Sequence, residues 1–281
     1  MKNYSFNRLT REIYTYKRDA VDKFIIGSST LGEPIHCYHV GKYSNKQILI
    51  EAGIHAREYI TSLVVMEELK WLANKEIDFG VYFIPLVNPD GARLVIDGID
   101  AIKNTKLKKY LLSVNNNSQD FSLWKANILA VDLNSNFNAL WGKGKYNKFT
   151  PAPAGFIGYY PNSEIENMNL INFIQSHPIN GSLSIHSKGK VVYYGYDELS
   201  QKELDRDNKI AQSLASFLDF NAEKTQQSVG GFSDYVSKIL KIPAFTIEVG
   251  RETLFHPISS DSLHEITPNF IGVSEFFSNL I

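Results

Sequence analysis

Two residues three positions apart open the chemistry of this chain. They are His55 and Glu58, in Ile48-Leu-Ile-Glu-Ala-Gly-Ile-His-Ala-Arg-Glu-Tyr59. An apolar, strand-like segment runs through a glycine into the pair, and a helical pattern follows it. In a turn or the first coil of a helix, side chains three apart point the same way. An imidazole nitrogen and a carboxylate oxygen then converge, which is two of the three protein donors of a catalytic zinc site made from two histidines and a glutamate. A lone H-x-x-E also occurs in solvated turns by chance, so the weight falls on what the chain supplies afterwards.

A third donor stands at the end of an apolar strand in Ser184-Ile-His186-Ser-Lys-Gly189. The bland alternative is a strand-terminal histidine satisfied by its neighbours. Of the other histidines, His36 and His39 lie on a strand ahead of the site, His177 precedes a proline in a loop, and His256 and His264 lie in an irregular tail. None has an equal placement. Glu248 is embedded in Phe245-Thr-Ile-Glu-Val-Gly250. A carboxylate in an apolar strand is costly unless it is paired or protonated. A pairing Lys or Arg would make it structural. Facing a water at a metal would make it a general base, with desolvation moving its pKa toward the working range. Asn88, Asp90 and Asn134 also follow apolar strands, at the carboxyl ends where open α/β sheets bind ligands.

The positioning elements follow from periodicity. Residues 1–25 are polar and tyrosine-rich and read as an N-terminal arm or helix, ahead of a catalytic domain over 26–281. Strands are expected at 25–26, 35–40, 47–54, 81–87, 128–133, 181–186, 191–194 and 244–249. Ile60, Leu63, Val64, Leu69 and Leu72 make one helical stripe ending near Asn74. Asn88-Pro-Asp-Gly91 reads as a turn, and residues 139–161 as a long ordered loop of the kind that carries function. Capping boxes at Ser163-x-x-Glu166 and Ser200-x-x-Glu203 open two helices. Residues 233–240 form a short helix, and Thr267-Pro268 caps the last one. Strands alternating with helices, without repeats or a linker, define a single α/β domain with a mixed, largely parallel sheet.

Composition narrows the function classes. Of the 281 residues 43% are hydrophobic, enough for a substantial core, so disorder is excluded. A net charge of -1 argues against nucleic acid and anionic membranes as partners. The one cysteine, Cys37, precludes an internal disulfide. Without an apolar signal core or membrane-length run, the chain is expected in the cytoplasm, a spore compartment being the alternative setting. No obligate protein partner is evident.

The motifs His55-Ala-Arg-Glu58, Asn88-Pro-Asp-Gly91, Asp132-Leu-Asn-Ser-Asn-Phe137, Ile185-His-Ser187 and Thr246-Ile-Glu248 occur in the order of the carboxypeptidase A-like zinc metallopeptidases. The chain resembles that family over nearly its whole length after the first 25 residues. The resemblance implies an eight-stranded mixed sheet flanked by helices. It implies one Zn²⁺ per chain on His55, Glu58 and His186, with Glu248 as general base.

Three departures bear on the substrate. The family's Asn-Arg-Asn, whose arginine holds a terminal carboxylate, is here Asn134-Ser135-Asn136. Serine cannot reproduce a bidentate, charged grip. The family's carbonyl-polarising arginine is replaced by Lys125 in Trp124-Lys-Ala-Asn127. The family's mobile tyrosine has no clear match: Tyr235 stands near, and Ser237 holds the aligned place. With these substitutions the chain is similar to a bacterial branch, the γ-D-glutamyl-meso-diaminopimelate peptidases of murein stem peptides. Trp124-Lys-Ala-Asn127, Asn136-Phe-Asn-Ala-Leu-Trp-Gly142, His186-Ser-Lys-Gly189 and Pro243-Ala-Phe-Thr-Ile-Glu-Val-Gly250 carry that similarity.

The resulting expectation is zinc-assisted amide hydrolysis on a peptide or muropeptide. Lys125, with Arg57, would stabilise the oxyanion. Asp132 or Asp90 would orient a ligand histidine. Asn134, Ser135, Tyr235, Lys188 and Arg251 would meet the substrate, the last two its carboxylates. One alternative is a true carboxypeptidase that recruits Arg251 or Lys188 for the terminal carboxylate. Another is a binding protein that has lost turnover. Retention of His55, Glu58, His186 and Glu248 together argues against the latter.

Overall fold

The computed structural model describes residues 4–195, 199–225 and 229–281. Its strands are Val21–Ser28 (β1), Pro34–Gly41 (β2), Gln47–Ala52 (β3), Gly80–Ile84 (β4), Gly181–Ser187 (β5), Val191–Tyr194 (β6), Asn221–Lys224 (β7) and Ala244–Val249 (β8). They form one eight-stranded sheet in the order β1-β2-β4-β3-β5-β8-β6-β7. The pairs β4/β3, β3/β5, β5/β8 and β6/β7 are parallel, and β1/β2, β2/β4 and β8/β6 antiparallel. This is the mixed, largely parallel sheet anticipated from the sequence. The helices are Phe6–Tyr14 (α1), Ile60–Leu72 (α2), Pro89–Asp97 (α3), Thr105–Val114 (α4), Ile165–Ser176 (α5), Gln201–Leu218 (α6), Phe232–Ile239 (α7), Leu263–Phe270 (α8) and Val273–Ser278 (α9). None is long and apolar enough to cross a membrane.

The central strands β3 and β5 are buried along their whole length, so both faces of the sheet are covered. Alternation sorts the side chains between the two layers. Ile48, Ile50, Leu183, Ile185, Phe245 and Ile247 pack on one face with residues of α1, α2, α6, α8 and α9. Leu49 and Ala244 pack on the other with α5 and α7. The same period of two places Glu51, Ser184, His186, Thr246 and Glu248 all on that second face, toward the carboxyl ends of the strands. A third cluster of Leu94, Ile99, Leu111, Trp124 and Ala126 supports the segment that carries Lys125. Helix α1 belongs to the core through the fully buried Phe6, Leu9 and Ile13, and β1 opens at Val21.

Several local expectations are corrected. Asn88-Pro-Asp-Gly91 starts helix α3 rather than a free turn: Asn88 Oδ1 accepts the Gly91 amide, with Pro89 at the first helical position. Residues 128–133 are not a strand. The Asn127 side chain takes the amides of Leu129 and Val131 (both 3.0 Å), and Ala130 is left-handed at φ 63, so the chain curls around one asparagine. The capping box at Ser163 does not form, because Glu166 is drawn instead to the backbone amide and hydroxyl of Thr30. Pro268 lies inside α8, and the last helix is α9. The edge strand β7 is too polar and exposed to show an apolar pattern.

Candidate metal centre

The turn after β3 delivers the first two donors. Gly53 sits at φ +64, where a Cβ would come within 2.8 Å of Leu86 Cδ1 and Ser62 Oγ, so only glycine fits between strand and turn. A short 3₁₀ turn, Ala56–Glu58, follows with His55 at its N-cap. Thr61 clamps it, donating to the Glu58 carbonyl and accepting the Gly53 amide. His186 arrives from β5, two strand positions beyond Ser184.

The three side chains converge. His55 Nδ1 lies 3.1 Å from Glu58 Oε1, His186 Nδ1 lies 3.2 Å from Glu58 Oε2, and the two Nδ1 atoms are 3.0 Å apart. All three residues are buried, and their donor atoms lie within 4.8 Å of one another. Two imidazole nitrogens facing each other beside a carboxylate are satisfied by one cation held among them. The N, N, O set suits Zn²⁺. Among the described residues no other His, Cys, Asp and Glu group has this geometry.

The far nitrogens of the two histidines face polar groups. His55 Nε2 stands 3.4 Å from Asp132 Oδ1, while Asp132 Oδ2 accepts the Gly155 amide (2.9 Å) and lies 3.3 Å from Lys125 Nζ. His186 Nε2 is 3.1 Å from Ser184 Oγ, which donates to Glu51, and 3.5 Å from Asn134 Nδ2. Asp132 is therefore the carboxylate behind a ligand. Asp90 instead accepts the Leu31 amide (2.8 Å).

The electrostatics divide the carboxylates. Burial alone would raise Glu58, but His55 and His186 outweigh it and hold it well below the usual range. Burial is likewise outweighed at Asp132, chiefly by Lys125 and then by His55, and its pKa is depressed. Among the described residues no cation forms an ion pair with Glu248, and its Oε2 is buried without a partner. Burial first, and the Glu58 charge second, push it up to about 7. A cation on Glu58 would act in the opposite direction. The arrangement thus holds an ionised ligand beside a carboxyl able to exchange protons near neutrality.

A cavity of about 280 Å³ opens onto His55, His186 and Glu248. Asn134, Tyr193, Thr225, Ser233 and Thr246 contribute polar walls, and Asp234 caps α7 beneath them, accepting the Gly231 amide. Burial raises the Asp234 carboxyl well above its ordinary range. Sequence reading did not reach Ser184, Ser233 or Thr246, although counting back by two from His186 and Glu248 reaches Ser184 and Thr246. His256, in the irregular tail, lies within electrostatic reach of Glu58, Arg57 and Lys188.

Of the expected substrate contacts, Asn134 lines the metal cavity while its Oδ1 accepts the Phe232 amide. Ser135 faces a neighbouring cavity together with Arg57 and Lys125. The other three do not line the metal cavity. Tyr235 is 5% exposed, packs against Phe137 and accepts a hydrogen bond from Gln175, so it belongs to the core. Arg251 pairs with Glu265 in a 60% exposed position and lines a separate cavity with Lys190 and Phe220. Lys188 donates its ammonium to the carbonyl and carboxylate of Glu252.

The zinc carboxypeptidase family model matches residues 6–271. The γ-D-glutamyl-L-diamino acid endopeptidase 1 of Lysinibacillus sphaericus is 31% identical over 94% of this chain and 70% of its own length. Carboxypeptidase A2 of Mus musculus is 27% identical over 70% of this chain and 47% of its own. The chain therefore spans about half the length of that mammalian relative. Among solved structures, bovine thrombin-activatable fibrinolysis inhibitor, in complex with tick carboxypeptidase inhibitor, shares the fold with a TM-score of 0.73. It is 19% identical, covering 98% of this chain and 96% of that one. The murein-tripeptide amidase MpaA of Escherichia coli O157 shares it at 0.57 and 20% identity, with 95% and 93% covered.

Proposed function

This chain belongs to the zinc carboxypeptidase family of metallopeptidases, and from that membership we propose that it hydrolyses the amide between the γ-carboxyl of D-glutamate and a diamino acid, as in murein stem peptides. The similarity to the Lysinibacillus sphaericus endopeptidase supports this choice of bond. The observation that carries it is the wall of the metal cavity. Among the described residues Lys125 is its only lysine or arginine, and that ammonium is already paired with Asp132. Ser135 stands where a carboxypeptidase needs a cation, and it faces the neighbouring cavity. A C-terminal residue with a carboxylate and no second amine would leave that anion without a free charged partner there, a costly state for a buried anion, whereas a diamino acid carries an ammonium of its own into the cavity.

His55, Glu58 and His186 would hold Zn²⁺, and a zinc ion there would supply Lewis acidity toward the scissile carbonyl and the attacking water. Glu248 accepts the proton of that water and returns it to the leaving nitrogen. One water is consumed, the C–N bond breaks, and a carboxylate and an amine are released. Lys125, 3.3 Å from Asp132, offers its ammonium to the oxygen that becomes negative in the tetrahedral intermediate. Arg57, whose Nε lies 4.0 Å from Glu58, adds positive potential on the same side. Asp132 and Ser184 fix the ring orientations of the two histidines.

The test is mass-spectrometric mapping of products from L-Ala-γ-D-Glu-meso-diaminopimelate, with hippuryl peptides as competitors. Release of free diaminopimelate is expected, with hippuryl peptides cleaved far more slowly. Faster trimming of the hippuryl peptides would make the protein a carboxypeptidase instead.

A further inference from the structure

Beside the metal cavity lies a second one of about 370 Å³, and Lys125 lines both. The second cavity is bordered by three basic residues, Arg57, Lys125 and Lys148, against one acid, Asp132. Arg57 Nε is buried with no hydrogen-bond partner, although its Nη1 reaches the Leu123 carbonyl at 3.5 Å. Lys148 comes from the long irregular loop, and its backbone is fixed. Its amide donates to the Gly155 carbonyl (2.7 Å), its carbonyl accepts the Ile157 amide (3.2 Å), and it pairs with Phe156 in a β-bridge. Gly155 in turn donates to Asp132, the carboxylate that also faces Lys125 and His55. The loop, the cations and the metal site are therefore held in one frame.

The direction of the substrate follows from where the proton must go. Glu248 lines the first cavity and must reach the leaving nitrogen, so the amine half of the substrate occupies that cavity. The acyl half then extends past Lys125 into the second. We propose that this second cavity is a carboxylate-binding subsite for the acyl residue, with Lys148 its specificity-determining cation. The inference rests on the γ-D-glutamyl reading. A γ-linked glutamate keeps a free α-carboxylate, separated from the scissile carbonyl by three carbons, whereas an α-linked residue presents a neutral peptide group near that place. An excess of positive charge in a partly enclosed cavity favours the first and leaves the second without compensation.

The experiment compares kcat/KM for L-Ala-γ-D-Glu-meso-diaminopimelate and for the same peptide with the glutamate α-carboxylate converted to carboxamide. It uses zinc-loaded wild type, Lys148→Ala and Lys148→Glu. Taking the acid-to-amide ratio divides out any loss of folded or metal-loaded enzyme. The wild-type ratio is expected to be about 10 or more, the factor for one charged hydrogen bond. It should fall toward one in Lys148→Ala and below one in Lys148→Glu. A wild-type ratio near one, or an unchanged ratio in both variants, overturns the subsite and leaves the reaction standing. If neither peptide is cleaved, the proposed reaction fails, and calorimetric binding of L-Ala-D-Glu against L-Ala-D-isoglutamine decides the subsite. Tighter binding of the diacid that is lost in Lys148→Ala upholds it, and equal binding overturns it.

Discussion

His186 and Glu248 stand opposite each other in the register of the parallel strands β5 and β8. A candidate metal ligand and the proposed proton acceptor are thereby set side by side by the sheet hydrogen bonds rather than by a loop. Because side chains alternate with a period of two, a slip of one residue would send either group to the opposite, apolar layer. Ile185 and Ile247, one position earlier on each strand, are fully engaged in that layer and pin the register. The geometry of the site is in this sense a consequence of core packing.

From that pairing, Glu248→Gln should keep zinc bound while lowering kcat by about 10²–10⁴-fold, the usual range for losing a general base. Burial raises the Glu248 pKa to about 7, and only the ionised form accepts a proton. Wild-type activity should accordingly rise with pH on an acidic limb, which Glu248→Gln should lack. Retention of more than about a tenth of the wild-type rate would reassign the proton transfer.

Metal content gives a second test. One Zn²⁺ per chain is expected by elemental analysis, with loss of the metal in His55→Ala and in His186→Ala, since each removes one of the three donors found among the described residues. Stoichiometric zinc in His186→Ala would show that another side chain completes the site.

Sequence reading reached the sheet and the metal centre because both are written in short-range patterns. Apolar runs mark buried strands, and His55 and Glu58 are local to one turn. It did less well where a single polar side chain organises the backbone, as Asn127 does for residues 128–133 and Thr30 does for Glu166. The cations placed by proximity in sequence, Lys188 and Arg251, are spent on Glu252 and Glu265, acids that lie in the chain after Glu248. Lys148 lay unnoticed in the long loop because nothing in its neighbourhood is periodic. Hydrogen bonds distant in sequence relate that loop to the site: Gly155 to Asp132, Lys125 to the Pro153 carbonyl and Asp132 to the Phe156 carbonyl.

Asp132 also yields a prediction that separates positioning from chemistry. Its carboxylate faces His55 Nε2 on one side and Lys125 on the other. Asp132→Asn should weaken zinc binding by about 10–100-fold, as loss of a carboxylate behind a ligand histidine does elsewhere. Competition with a calibrated chelator measures this without reference to turnover. An unchanged zinc affinity would confine Asp132 to holding Lys125 and the loop.

The last prediction concerns Glu51, the acid that receives the Ser184 hydroxyl on the sheet face below His186. It is fully buried, its Oε2 has no partner, and burial pushes its pKa up to about 7. In the unfolded chain a glutamate titrates near 4.3. Between about 4.3 and 7 the folded state therefore holds a proton that the unfolded state has released. The contribution of Glu51 to stability must then fall as pH rises through that window and level off above it. Glu51→Gln mimics the protonated acid and should remove this slope. Chemical denaturation of the chelator-treated protein at pH 5 and pH 8 is the measurement, so that zinc binding does not contribute. Relative to wild type, Glu51→Gln should be more stable at pH 8 than at pH 5. An equal difference between the two proteins at both pH values would mean that Glu51 titrates alike in both states, and that Ser184 and its surroundings compensate its burial fully.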